Sequence, residues 1–135
     1  LGLLTINSLA AAHEVMVPLQ VEFFAMEGIS QLHKTIELVR NSLNPELKWG
    51  GVLLTMYDKR NNLSALVEQE VRDYMGDKVF TTVIPRNVRV SEAPSHGKPV
   101  LLYDTSCPGS VAYMRLAAEL LKQKPTTSAE EGVAA

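Results

Sequence analysis

An α/β domain with a mostly parallel sheet and crossover helices is predicted by three features of this 135-residue chain. Short runs of β-branched and long apolar residues alternate with stretches whose apolar positions recur every three or four residues. The central run, Gly50 to Tyr57, is apolar on both faces, as a strand covered by helices on each side must be. A long turn-forming segment then follows the third run, and the loop leaving a strand's carboxyl end is where open sheets hold ligands.

Leu3 to Ala12 is small and apolar, a short helix or a loop running into one. Glu14 to Leu19 reads as a buried strand, with Pro18 at its end where a ladder donor can be spared. Met26, Ile29, Leu32, Ile36, Val39 and Leu43 put one stripe on a helix that Asn44-Pro45 ends. Gly50-Gly51 reads as a turn at the entry of the second strand. Asn61-Asn62 offers an N-cap, and Leu63, Leu66, Val67, Val71 and Tyr74 mark the next amphipathic helix. Val79 to Ile84 is β-branched and reads as a third strand.

After a loop from Pro85 to Pro99 comes a short apolar run, Val100 to Tyr103. Pro108 then opens a last helix, with Val111, Met114, Ala118 and Leu121 as its inner stripe. Lys124 onward is Pro, Thr, Ser, Glu and Gly, a solvated composition. The predicted organisation is a folded part over residues 1–124 and a disordered tail over 125–135.

The formal net charge of −2 supplies no global positive field, so any contact with nucleic acid must rest on a local patch. One cysteine, Cys107, excludes an internal disulfide and fits a reducing cytosol. No apolar run approaches the roughly 18 residues that span a bilayer. The start, Leu1-Gly2-Leu3-Leu4-Thr5, lacks a signal peptide's basic region and lies directly in an apolar segment. A piece of a longer reading frame is the expectation.

Most candidate sites have bland readings. His13, His33 and His96 are far apart and unpaired with cysteine, which argues against a metal site. Cys107 sits beside Pro108, with no paired Cys to suggest a nucleophile. Glu22 and Glu27 flank Phe23-Phe24 and suit helix-entry charge better than acid–base chemistry. No glycine-rich loop with a lysine is present to surround a triphosphate, so ATP hydrolysis by this chain alone is not expected. Pro85-Arg86-Asn87 stands apart. A rigid ring beside a guanidinium and an amide suits an anionic or heteroaromatic ligand, although Pro and Asn also make plain turns.

Four segments, in order, resemble the carboxyl-terminal half of ParA/Soj-type partitioning ATPases of the deviant Walker A (ParA/MinD) P-loop superfamily. They are Leu19-Gln20-Val21-Glu22-Phe23-Phe24-Ala25-Met26-Glu27-Gly28, Gly51-Val52-Leu53-Leu54-Thr55-Met56-Tyr57-Asp58, the Pro85 loop, and Lys98-Pro99-Val100-Leu101-Leu102-Tyr103-Asp104. The similarity covers about Leu1 to Leu121. It implies a partial P-loop NTPase-like fold, the later part of an AAA/CbiA-like nucleotide-binding domain. The two-lysine loop, catalytic aspartate and switch aspartate would lie upstream of Leu1, so no catalytic residue is assigned here.

The resemblance further implies ATP with Mg2+ as cofactor, the adenine beside Pro85, Arg86 and Asn87, and Thr55 and Met56 on the other side of that pocket. It implies nonspecific DNA binding through Arg60 and Arg89, with Lys59 adding a neighbouring charge. It implies an ATP-dependent homodimer, a ParB-type centromere-binding partner that stimulates hydrolysis, and a cytoplasmic, nucleoid-associated location. A MinD-like membrane-cycling protein is one rival; the break at Pro125 and the acidic turn after it disfavour a basic membrane helix. A non-catalytic remnant is another. The absent cluster cysteines argue against the related nitrogenase iron protein.

Overall fold

The computed structural model describes residues 2–123, which fall in two compact units divided between Arg86 and Asn87. The predicted tail over 125–135, with the break that bears on a membrane helix, lies outside the described residues.

The first unit is a parallel sheet with helices, as predicted. Helix α1 (Leu3–Ala11) leads into strand β1 (Glu14–Gln20), helix α2 (Ala25–Ser42), strand β2 (Lys48–Thr55) and helix α3 (Asn62–Met75). The strands pair in parallel with Val17 opposite Val52 and Leu19 opposite Leu54. Val17, Val52 and Leu54 share one buried cluster with Ile29 of α2 and with Val67, Val71 and Met75 of α3. A second cluster of Leu9, Ile36, Val39 and Leu47 ties α1 to the far half of α2. Each such buried aliphatic side chain contributes about 1.5–3 kcal/mol.

Local chemistry sets the ends. Asn61 Oδ1 accepts the Leu63 N–H at 3.0 Å, so the predicted N-cap is formed. Asn44 Nδ2 donates to the carbonyls of Leu9 and Ala12 at 3.0 and 2.9 Å, satisfying acceptors that the end of α1 leaves open.

Five expectations change in this unit. β1 is not a buried strand: it has a strand neighbour on one side only among the described residues, and only Val17 is buried along it. Pro18 lies inside β1 rather than at its end. The Val21 N–H donates to the Thr55 carbonyl at 3.1 Å, and the period of two turns Pro18 to the unpaired side, where no donor is required. Within α3, Leu66 and Tyr74 are exposed while Met75 is buried, because Met75 closes the end of the stripe set by Val67 and Val71.

Gly50-Gly51 is not a turn before β2 but part of it. Gly51 sits at φ +139°, and a Cβ there would lie 2.5 Å from Cε2 and Cζ of Phe80. The Phe80 ring, 2% exposed, occupies the space a side chain would need. The expected third strand is also irregular. The segment makes isolated parallel bridges, Val79 with Val52 of β2 and Pro85 with Tyr57 just beyond it. Phe80 N–H donates to Val52 O at 2.9 Å and Ile84 N–H to Leu54 O at 2.8 Å. Phe80 to Ile84 thus spans the interval that Val52 to Leu54 covers, and the extra residues bulge from the ladder.

In the second unit the expected loop is largely helical. Helix α4 (Val88–Glu92) runs into a 3-10 turn, Ala93–His96, and the apolar run is helix α5 (Val100–Tyr103). Helix α6 (Pro108–Gln123) starts at Pro108 as predicted, but its buried residues are Gly109, Ser110, Ala112 and Leu116. Met114 and Leu121, assigned to the inner stripe, are exposed, as is Ala118. Small residues take the inner face because α4 approaches closely: a Cβ on Gly109 would strike Val90 Cγ2. Ser110 is fully buried with its hydroxyl at the carbonyls of Val100 and Asp104.

Candidate functional site

Parallel pairing brings four of the predicted residues together within the first unit. Tyr57 N–H donates to Ile84 O at 3.1 Å, and Arg86 N–H donates back to Tyr57 O at 2.9 Å. Thr55 and Met56, at the carboxyl end of β2, therefore lie alongside Pro85 and Arg86. Thr55 and Pro85 are half-buried, Met56 is 40% exposed and Arg86 is exposed. Pro85 is a reachable surface, not a core residue.

Met56 has φ +56°, the one non-glycine residue with positive φ among the described residues. That left-handed conformation costs about 1–2 kcal/mol, and such strain concentrates at functional positions. Below it, burial first and then a hydrogen bond to Glu68 push the Tyr57 hydroxyl above its ordinary pKa. Glu68 also receives Arg72 Nε at 2.9 Å, within α3.

Lys59 and Arg60 lie in the exposed turn between β2 and α3. Arg60, its side chain 90% exposed, donates from Nε to Asp58 Oδ1 at 3.2 Å and from Nη2 to Oδ2 at 3.4 Å, while its own backbone N–H reaches Oδ1 at 3.0 Å. The Arg60 side-chain hydrogen bond, then its backbone N–H, hold the Asp58 carboxyl below its ordinary value of 3.8, with the charge of Arg86 assisting. A depressed folded-state pKa means the pair's contribution is present above 3.8 and lost as pH falls through the lowered value. Carboxyl-carbon NMR titration is therefore expected to show Asp58 titrating below 3.8, and Arg60→Ala to move it upward.

Asn87 and Arg89 belong to the second unit. Asn87 precedes α4 with φ −146° and ψ 124°, in the N-cap position, yet its side chain makes no capping bond. Its Oδ1 is buried and has no hydrogen-bond partner. A favoured cap residue that does not cap leaves an acceptor unpaired, here one buried toward Gly109 of α6. Arg89 contacts Glu92 Oε2 from Nη1 at 3.3 Å and Asp104 Oδ2 from Nε at 3.5 Å. Tyr103 first, then Glu92 and Asp104, raise the arginine's pKa.

Sequence reasoning missed the carboxylate partners of both arginines. Glu92 is three residues after Arg89, a helical spacing that signals an ion pair. Asp104 carries no such local signal, and neither does the backbone of Met56. No group of three metal-ligating side chains occurs among the described residues. None of their helices is long and apolar enough to cross a membrane.

A family profile described as AAA domain matches residues 1–49. Chromosome partitioning protein ParA of Caulobacter vibrioides (strain NA1000 / CB15N) is 61% identical over 124 residues, 92% of this chain and 46% of that protein. Chromosome partitioning protein ParA of Myxococcus xanthus (strain DK1622) is 52% identical over 99% of this chain and 47% of its own length. Sporulation initiation inhibitor protein Soj of Bacillus subtilis (strain 168) is 56% identical over 89% of this chain and 47% of its own length. The chain thus spans about half the length of the curated relatives it matches. The crystal structure of cobyrinic acid a,c-diamide synthase from Mycobacterium smegmatis with bound ADP and magnesium superposes with TM-score 0.69 at 36% identity, covering 90% of this chain and 42% of that one.

Proposed function

We propose that this chain, a relative of the ParA/Soj chromosome partitioning ATPases, supplies the purine-side and DNA-contacting residues of an ATP-dependent partitioning protein. The observation that carries the reading is identity above half, sustained over nearly the whole chain. The phosphate-binding loop of such a protein is not among these 135 residues. The activity belongs to the whole molecule: an ATP-bound homodimer holds DNA nonspecifically until a ParB-type partner stimulates hydrolysis, in the cytoplasm and on the nucleoid.

The residues present fit the base end of a nucleotide. Asn87 carries an amide, the group that can accept from an exocyclic amino group and donate to a ring acceptor once its side chain turns toward the base. Pro85 offers a flat apolar ring, Arg86 a nearby positive charge, and Thr55 and Met56 end the neighbouring strand. ATP with Mg2+ would supply the anhydride and its counterion; the residues of this chain hold and orient the purine. Arg60, Arg89 and Lys59 are exposed cations that suit phosphate contact.

DNA binding by the whole protein carrying this chain tests the reading. With a nonhydrolysable ATP analogue, Arg60→Ala or Arg89→Ala is expected to weaken nonspecific duplex binding and to reduce the slope of log affinity against log salt by about 1 each. Nucleotide affinity, measured alongside, is expected to hold. Wild-type DNA affinity at low salt in both variants would remove the assignment.

A further inference from the structure

Both arginines assigned to DNA are already engaged by carboxylates. Those carboxylates are better anchored than the arginines. Glu92 Oε2 also accepts the Tyr103 hydroxyl at 2.9 Å, and the Tyr103 ring stacks on His96 at 4.9 Å. Asp104 turns Oδ1 toward the entry of α6, accepting the N–H groups of Ser106 and Cys107 at 3.2 and 3.1 Å and the Ser106 hydroxyl at 3.2 Å. Arg89 has a side chain 53% exposed, and the groups that hold it are this same Glu92, Asp104 and Tyr103. Asp58 likewise keeps the Arg60 backbone N–H whatever the Arg60 side chain does.

We infer that these carboxylates form an internal clamp that DNA phosphates must displace: Glu92 and Asp104 on Arg89, and Asp58 on Arg60. The inference rests on the reading of the two arginines as DNA contacts. Release is cheap because each carboxylate retains other donors when its guanidinium swings away, so no buried charge is left bare. The clamp is also weak, as exposed ion pairs are, which makes it a bias and not a lock. A single phosphate or a sparse anion gains little over the resident carboxylate. Duplex DNA presents a charge about every 1.7 Å of its axis and engages several cations together. The carboxylates therefore set how dense a polyanion must be before each arginine leaves its resident partner.

Glu92→Gln tests this in the whole protein, because it removes the charge while the amide oxygen still accepts from Tyr103. Binding of a labelled duplex of arbitrary sequence, with a nonhydrolysable ATP analogue and about 50 mM salt, is expected to tighten about 1.5- to 5-fold. The gain is expected to vanish in the Arg89→Ala background. Asp58→Asn is the matching arm for Arg60 and tests the idea independently should Glu92→Gln fold poorly. Unchanged affinity in these variants, or a gain that persists without the arginine, overturns the clamp. If Arg89→Ala weakens binding while Glu92→Gln changes nothing, the clamp alone falls. If the arginine variants themselves bind as wild type, the DNA reading falls and takes the clamp with it.

Discussion

Gly51→Ala is expected to destabilise the fold by about 3 kcal/mol or more, the sum of a backbone and a packing cost. At φ +139° an L side chain is strained regardless of space. The added methyl would also sit 2.5 Å from two atoms of the Phe80 ring and 3.2 Å from a third. That ring is 2% exposed and has little room to retreat. The urea midpoint of the whole protein measures the loss. Gly51→Ala with Phe80→Leu should recover the packing part and leave the backbone part. Gly50→Ala is the neighbouring control: its Cβ would meet the Val15 carbonyl at 3.3 Å without a positive φ, so its cost should be smaller. A Gly51→Ala protein with a wild-type midpoint would mean that Phe80 does not occupy this space.

Asn87→Ala is expected to cost about 1–3 kcal/mol of ATP affinity, by leaving base atoms unpaired in the site. Its effect on stability should be near zero or slightly favourable, because Asn87 Oδ1 has no internal partner to lose. The opposite directions separate a ligand contact from a structural one. Isothermal titration gives the first quantity and thermal denaturation the second. Asn87→Asp keeps the size and the acceptor but removes the donor, so an intermediate or full loss of affinity would follow. Wild-type affinity in Asn87→Ala would remove this residue from the nucleotide reading.

Much of the fold was legible because its signals are local. The α2 stripe holds at Ile29, Ile36 and Val39, and the Asn61 cap and the Asn44-Pro45 stop need only neighbouring residues. What escaped depends on distant partners. The irregularity after Val79 accompanies a ring seated on Gly51, a pairing that no hydropathy pattern encodes. The inner face of α6 is carried by Gly109, Ser110 and Ala112, whose small side chains register weakly on any apolar count, so the larger Met114 and Leu121 attracted the assignment. At the candidate site, Pro85, Arg86 and Asn87 stood out in the chain, but the missing cap bond of Asn87 and the reversed backbone of Met56 exist only in three dimensions.

Pro18 has a consequence for handling this polypeptide by itself. An outward β rim with a full row of amide hydrogens is a template on which foreign strands assemble into fibrils. Here that row is broken at its middle, between Met16 and Gln20, by a residue that has no hydrogen to give. Pro18→Val would restore the row, and with it the tendency to grow insoluble strand-on-strand aggregates.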